Sequence, residues 1–179
     1  MNRVELINYL IDQRKSSGYL EISPPDQKAN FTEIRCAHKT CTFNDISDHF
    51  FEHNEERFDI IFIDGLHTEE QVQKDIRNSF RFLTKGGVII LHDCMPPDAW
   101  YQRDQEDFKT GENWNGTVWK AALKFFNNTS FRCFLLDTDW GCGIIDTSKR
   151  QFTLCFPLPE QLDFALHYPY LLQYRMSLA

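Results

Sequence analysis

The sequence predicts an α/β fold: a three-layer sandwich in which a mostly parallel sheet, with an antiparallel C-terminal hairpin at its far edge, is covered by helices on both faces. Three observations predict it. Phe58-Asp-Ile-Ile-Phe-Ile63 is a nearly continuous apolar run that stops at Asp64-Gly65, as a strand covered on both faces should. Val72, Ile76, Phe80 and Leu83 then follow one helical stripe until Lys85-Gly86-Gly87. Val88-Ile-Ile-Leu91 repeats the buried-strand pattern and ends at His92-Asp93, so strand, helix and strand make a crossover within a parallel sheet.

The remaining elements are predicted with this unit as the anchor. Val4, Leu6, Leu10 and Ile11 give an N-terminal helix, with Gly18 as its left-handed stop, and Tyr19-Leu-Glu-Ile22 gives a short strand. Pro24 and Pro25 end that strand, because each lacks a backbone donor and fixes its own φ. A helical turn around Phe31–Ile34 and a weak strand around Thr40–Phe43 follow. Ile46, Phe50 and Phe51 predict a short helix behind an Asn44/Asp45 cap, ending near Asn54. Thr68 with Gln71 reads as a capping box. Met95 to Asn113 is polar and long for a connector, which favours a lid or binding segment. Thr117 to Phe126 reads as a helix, and Phe131–Leu136 with Gly143–Ile145 as the antiparallel pair.

One domain is expected: 179 residues fit a single core, divided into a shortened first half (1–57), a second half carrying the rim chemistry (58–155) and a C-terminal tail (156–179). That tail holds Phe164, Tyr168, Tyr170 and Tyr174, an aromatic cluster that caps the domain or faces a second copy of the chain in a homodimer. A formal net charge of -7 and a pI near 5.3 argue against nucleic acid, whose phosphates call for a basic face. The first residues are interrupted by Asn2, Arg3, Glu5, Asn8 and Asp12, so no signal peptide or membrane span is expected, and a cytoplasmic location follows. In that compartment the six cysteines are expected as thiols.

Chemistry is expected at the carboxyl ends of the parallel strands, where loops converge on a crevice. Asp64 and Asp93 occupy two such ends, with His67 and His92 beside them. Two carboxylates and two imidazoles at one rim make either a divalent-metal site or an acid/base cluster. They read equally well as helix caps and loop anchors. Trp114, Trp119 and Trp140 are either pocket walls or core, and Cys94 reads as a buried, inert thiol.

These residues also carry a resemblance. Phe58-Asp-Ile-Ile-Phe-Ile-Asp-Gly-Leu-His67, Glu70-Gln71-Val72 with Asp75, Gly86-Gly87, Leu91-His-Asp-Cys94, Trp114-Asn-Gly-Thr-Val-Trp-Lys-Ala121 and Asp137-Thr-Asp-Trp-Gly-Cys-Gly143 together resemble the Rossmann-like class I S-adenosylmethionine (SAM)-dependent methyltransferases, in particular a small bacterial methyltransferase-domain group. The resemblance implies SAM as cofactor, bound near Glu21, Ser23, Asp45 and Asp64, and O-methyl transfer to a small-molecule or sugar hydroxyl. Similarity to the metal-dependent O-methyltransferases implies Mg²⁺ at Asp64 and Asp93, with His67, His92 and Asp93 as the catalytic set.

The sequence departs from that pattern in its first half. Glu21-Ile-Ser-Pro-Pro25 stands where a glycine-rich turn is expected, and no clear acidic residue follows a recognisable second strand. Two further crossovers of at least ~10–12 residues each plus their strands would fill or exceed residues 23–57, so the cofactor half is expected to be compressed or partly missing. Two alternatives therefore stand beside the enzyme: a degenerate, non-catalytic binding or assembly protein of the same fold, expected to have a filled crevice, and a metal-dependent hydrolase using the same rim.

Overall fold

The computed structural model of the chain describes residues 1–24, 28–42, 45–109, 111–152 and 155–176, without the side chain of Ala29. Seven strands form one sheet in the order β2 (His38–Cys41), β1 (Gly18–Ile22), β3 (Phe58–Ile63), β4 (Leu83–Leu91), β6 (Cys142–Arg150), β5 (Phe131–Leu136) and β7 (Arg175–Met176). The pairs β2/β1, β1/β3, β3/β4 and β5/β7 are parallel, whereas β6 runs antiparallel to both β4 and β5. The expected hairpin is present, and its second strand inserts between β4 and its own partner.

The alternation of the central strands builds the two cores. Leu20, Ile22, Ile61, Ile63, Ile89 and Leu91 face one side, where they meet Val72 and Ile76 of α4 (Glu69–Phe82) and Trp119, Ala122 and Leu123 of α5 (Val118–Asn128). Tyr19, Ile60, Phe62, Val88 and Ile90 face the other, under Leu6, Ile7 and Ile11 of α1 (Arg3–Arg14) and Ile34. Both faces of β3 and β4 are thus buried, which is why their sequence reads as an unbroken apolar run rather than an alternating one.

Several local expectations are corrected. The left-handed residue that stops α1 is Lys15 (φ 52°), and Gly18 is already the first residue of β1. The first half is compressed but not missing: α2 (Lys28–Thr32) joins β1 to β2 and α3 (Ser47–His53) joins β2 to β3, so both crossovers fit because their helices are only five and seven residues long. Its expected cap falls partly outside the described residues at Asn44; Ile46 holds the cap position of α3 without a side-chain hydrogen bond, and Asp45 pairs with His49 at 2.5 Å instead. Only half of the capping box forms: Thr68 Oγ1 accepts from Gln71 N at 3.4 Å, but the Gln71 amide turns to Ser47, Asp48 and Asp75. α4 runs directly into β4 at Leu83, five residues before the apolar run that marks the strand in the sequence.

The tail caps the domain. Phe164 and Tyr168 of α6 (Phe164–Leu172) pack edge-on against the fully buried Trp119 at 5.5 and 5.6 Å, and β7 adds a strand beside β5. Among the described residues no helix is long and apolar enough to cross a membrane.

Candidate active site

Strand register delivers the acidic rim. Ile63 pairs with Leu91 across β3 and β4, and His92 N donates to Ile63 O at 3.0 Å, so the residues that follow, Asp64 and His92, leave the sheet side by side. His92 Nδ1 lies 3.1 Å from Asp64 Oδ1 and 3.0 Å from Asp93 Oδ2, bridging the two carboxylates. His67, one loop further on, completes the ring from the cavity side: its Nε2 is 3.2 Å from Asp64 Oδ1 and 3.4 Å from Asp93 Oδ2. Its Nδ1 is 3.1 Å from the Trp114 carbonyl oxygen, which can only accept, so Nδ1 carries hydrogen, and Nε2 is the nitrogen that gains or loses a proton beside the two carboxylates.

Charge in this cluster is balanced locally. Burial opposes the ionised form of Asp64, but His92 and His67 outweigh it and hold the carboxyl far below the usual carboxylate range. Burial likewise opposes a charged imidazole, yet the Asp64 charge and hydrogen bonds to Asp139, Asp64 and Asp93 raise His92 well above the ordinary histidine value. His67 is raised for the same kind of reason, by its bond to Asp64 and the nearby Asp93 charge against the effect of burial. Asp139, bonded to His92, is lowered to about 2.

Three residues here were not singled out by the sequence. Arg3 Nη1 donates to Asp64 Oδ2 at 2.8 Å, Asn115 Nδ2 donates to Asp93 Oδ1 at 2.7 Å, and Asp139 Oδ2 accepts from Arg3 N at 2.8 Å. Asn115 and Asp139 do lie inside two of the quoted motifs, whereas Arg3 reads only as a charge on an amphipathic helix. Backbone strain gathers at the same place. Asp93, Asp139 and Trp140 all have φ between 47° and 64°, an uncommon conformation for side-chain-bearing residues that costs about 1–3 kcal/mol each and persists where surroundings impose it.

The long segment after β4 forms the outer wall. Arg103, almost fully buried, donates to the carbonyls of Trp100 and Asn113 and to Glu112 at 2.6 Å, while Trp114 Nε1 donates to Arg103 O at 2.8 Å. This internal stapling makes it a fixed wall. Gly116 joins it to the rim: its φ is 61°, and a Cβ there would sit 2.0 Å from His67 O, the oxygen that accepts from Thr117 N at 2.8 Å. No side chain fits.

Two cavities open above the strand ends. One, of about 440 Å³, is lined by Arg3, Asp64, His67, His92, Asp93, Phe108, Glu112, Asn113, Trp114, Asn115 and Trp140. Its neighbour, of about 420 Å³, is lined by Ile22, Ser23, Thr42, Asp45, Ile46, Ser47, Asp48, Leu66 and Gln71. Pro24 and Gly65 line both, so the cavities adjoin.

The residues singled out from sequence therefore divide. Asp64, His67, His92 and Asp93 converge on the first cavity, and Ser23 and Asp45 line the second. Glu21 lines neither: its carboxylate accepts from Tyr19 Oη at 2.6 Å and Ser23 Oγ at 2.9 Å. Trp114 and Trp140 are cavity walls, whereas Trp119 is core. Cys94 is fully buried, and burial pushes its thiol far up.

Comparison with known proteins agrees with this architecture. Solved structures with the same fold include an O-methyltransferase from Bacillus cereus in complex with SAH (TM-score 0.53, 13% identity, covering 80% of each chain). TomG from Streptomyces achromogenes, an O-methyltransferase involved in tomaymycin synthesis and in complex with SAM, gives a TM-score of 0.54 at 12% identity, covering 81% of this chain and 79% of that one. The SAH-bound methyltransferase PaMTH1 from Podospora anserina gives 0.53 at 15% identity, covering 80% and 77%. No curated protein matches the chain in sequence. Residues 8–94, from α1 to the cysteine after the rim, match a family model described as a methyltransferase domain, and the fold is shared with these solved methyltransferases.

Proposed function

We propose that the protein is a SAM-dependent O-methyltransferase acting on a hydroxyl of a small molecule or sugar, in the cytosol. The observation that carries the reading is the pair of adjoining cavities with the Asp64–His67–His92–Asp93 cluster in one of them. A methyl donor and an acceptor need separate sites that meet at the reacting atoms. The cavity at the ends of β1 and β2, with apolar walls at Ile22, Ile46 and Leu66 and polar groups from Ser23, Asp45 and Gln71, suits an adenosyl group. Glu21 acts there indirectly in this reading, by orienting Ser23. The charged cavity, walled by Trp114, Trp140 and Phe108, suits a hydroxylated ring that stacks on indole and hydrogen-bonds to Glu112 and Asn113.

His67 is the base in this reading, because it lines the cavity and the Asp64 and Asp93 carboxylates beside its Nε2 raise its affinity for the hydroxyl proton when it is neutral. Asp64 and Asp93 stabilise the imidazolium that results, and His92 keeps the two carboxylates together. Bound SAM would supply the methyl group: its S–C bond breaks with the electron pair staying on sulfur to leave SAH, the O–C bond forms from an oxygen lone pair, and the hydroxyl proton goes to His67 Nε2.

The Mg²⁺ implied by the resemblance does not suit this donor set. Asp64, His67 and Asp93 bring one ligand atom each within 4.8 Å of one another, but one is nitrogen, and Mg²⁺ favours all-oxygen octahedral surroundings. Every carboxylate involved already faces cationic or hydrogen-bond donors from Arg3, His67, His92 or Asn115. No step is therefore routed through the ion.

The non-catalytic alternative predicts a filled crevice, and the cavity beside Ser23 is open at about 420 Å³. Calorimetry with SAM and SAH, followed by SAH release in the presence of a panel of sugars and phenols, tests the proposal. Saturable heat and acceptor-dependent SAH release are expected; no heat at millimolar cofactor would end the catalytic reading.

A further inference from the structure

We infer that Arg3 is the resident cation of the acceptor cavity, seated on Asp64, one of the three groups (Asp64, His67 and Asp93) that would otherwise converge on a divalent ion. The guanidinium is held by two carboxylates, Asp64 and Asp139, and lies against the His92 ring. Its Nη1 donates to Asp64 Oδ2 at 2.8 Å and stands 3.3 Å from both ring nitrogens of His92. Its Nε is 3.7 Å from Asp139 Oδ2, the oxygen that also accepts from the Arg3 backbone N–H at 2.8 Å. Its side chain is only 19% exposed.

The helix start fixes this position. Asn2 and Glu5 form a complete reciprocal cap, with Glu5 N donating to Asn2 Oδ1 at 2.9 Å and Asn2 N donating to Glu5 Oε2 at 2.9 Å. Arg3 is therefore the first residue of a helix that cannot rotate without breaking both bonds, and its side chain points into the rim from above. Asp139, at φ 47°, is bent into reach of it by the β5–β6 turn.

The placement of charge supports the same conclusion. Asp64, Asp93 and Asp139 bring three carboxylates together, and Arg3 places a permanent positive charge against two of them, at 2.8 Å from Asp64 and 3.7 Å from Asp139. A divalent ion entering between Asp64, His67 and Asp93 would meet the guanidinium 2.8 Å from one of its ligands. Guanidinium does not deprotonate to make room, because its pKa is above ~12. Arg3 also lines the cavity, so it serves as a fixed positive charge toward an acceptor oxygen as that oxygen loses its proton.

This inference concerns the cation and not the methyl donor, so it is tested without any turnover. Mn²⁺ is titrated into the whole chain and free ion is read by electron paramagnetic resonance, with Mg²⁺ by calorimetry. Wild type is expected to leave both ions free up to millimolar concentration. Arg3→Met, which removes the charge but keeps a long side chain, is expected to bind Mn²⁺ at least tenfold more tightly than wild type, while Arg3→Lys is not. Asp139→Asn, which loosens the grip on Arg3 without touching Asp64, should fall between the two and guards against an Arg3 variant that does not fold. Micromolar Mn²⁺ or Mg²⁺ binding by wild type, or no gain in a folded Arg3→Met, overturns the assignment. SAM and SAH calorimetry on the same samples reports separately on the methyltransferase reading.

Discussion

The two cavities that meet at Pro24 and Gly65 are built in contrasting ways. In the charged cavity and its wall nearly every polar group is committed to another: Asp64 to Arg3 and both histidines, Asp93 to Asn115 and His92, Arg103 to Glu112. The neighbouring cavity is shaped mostly by backbone and apolar side chains, with one amide, Gln71, tying α4 to α3 through Ser47 and Asp48. The first site is a rigid electrostatic device, prepared before a ligand arrives. The second is a less charged slot at the ends of β1 and β2.

That contrast can be broken from either side. The largest effect is expected at His67→Ala: loss of a positioned base typically lowers turnover by ~10²–10⁴-fold. SAH affinity measured by calorimetry should change less than about twofold, since His67 lines only the acceptor cavity. Equal damage to both would show that the cavities are not independent. Next comes Gly116→Ala. Left-handed backbone strain adds ~1–2 kcal/mol, and overlap with His67 O adds to it, so thermal unfolding should show about 2–4 kcal/mol of destabilisation.

Gln71→Ala probes the other side and should be milder. Removing an amide that bridges α3 and α4 is expected to weaken SAH binding by about tenfold, roughly the worth of one or two hydrogen bonds, with acceptor KM unchanged. The smallest effect is that of pH. His67 is raised above 6.5, so the fraction able to accept a proton, and with it kcat/KM, should climb as pH passes through that raised value. Stability moves the opposite way. The contribution of charged His67 and His92 is complete below an unfolded-state value near 6.5 and is lost as pH rises through their folded values. Thermal melts between pH 6 and 9 that rise instead of falling would contradict these directions.

The same contrast explains what the sequence made legible. Asp64, His67, His92 and Asp93 could be placed together because two doubly buried strands have an unmistakable apolar signature, and because parallel register brings their ends level. The cavity beside Ser23 was harder to foresee. β2 is four residues long and half-exposed, and α2 and α3 are five and seven residues long, too short for periodicity to define. Arg3 escaped because one arginine on a helix reads as a solvated charge; only the turn holding Asp139, more than a hundred residues away in the chain, gives it meaning. The α6 helix was masked by Pro169 inside it, and β7 by its length of two residues.

Trp119 gives the C-terminal tail a reach that its position on the far side of the sheet would not suggest. One edge of its indole takes Phe164 and Tyr168, and its Nε1 donates to Gln102 Oε1 at 3.2 Å in the wall of the acceptor cavity. Anything that lifts α6 from the domain therefore loosens the segment carrying Arg103 and Trp114 through a single ring. The shape of the charged cavity becomes, in part, a property of how firmly the last helix is seated.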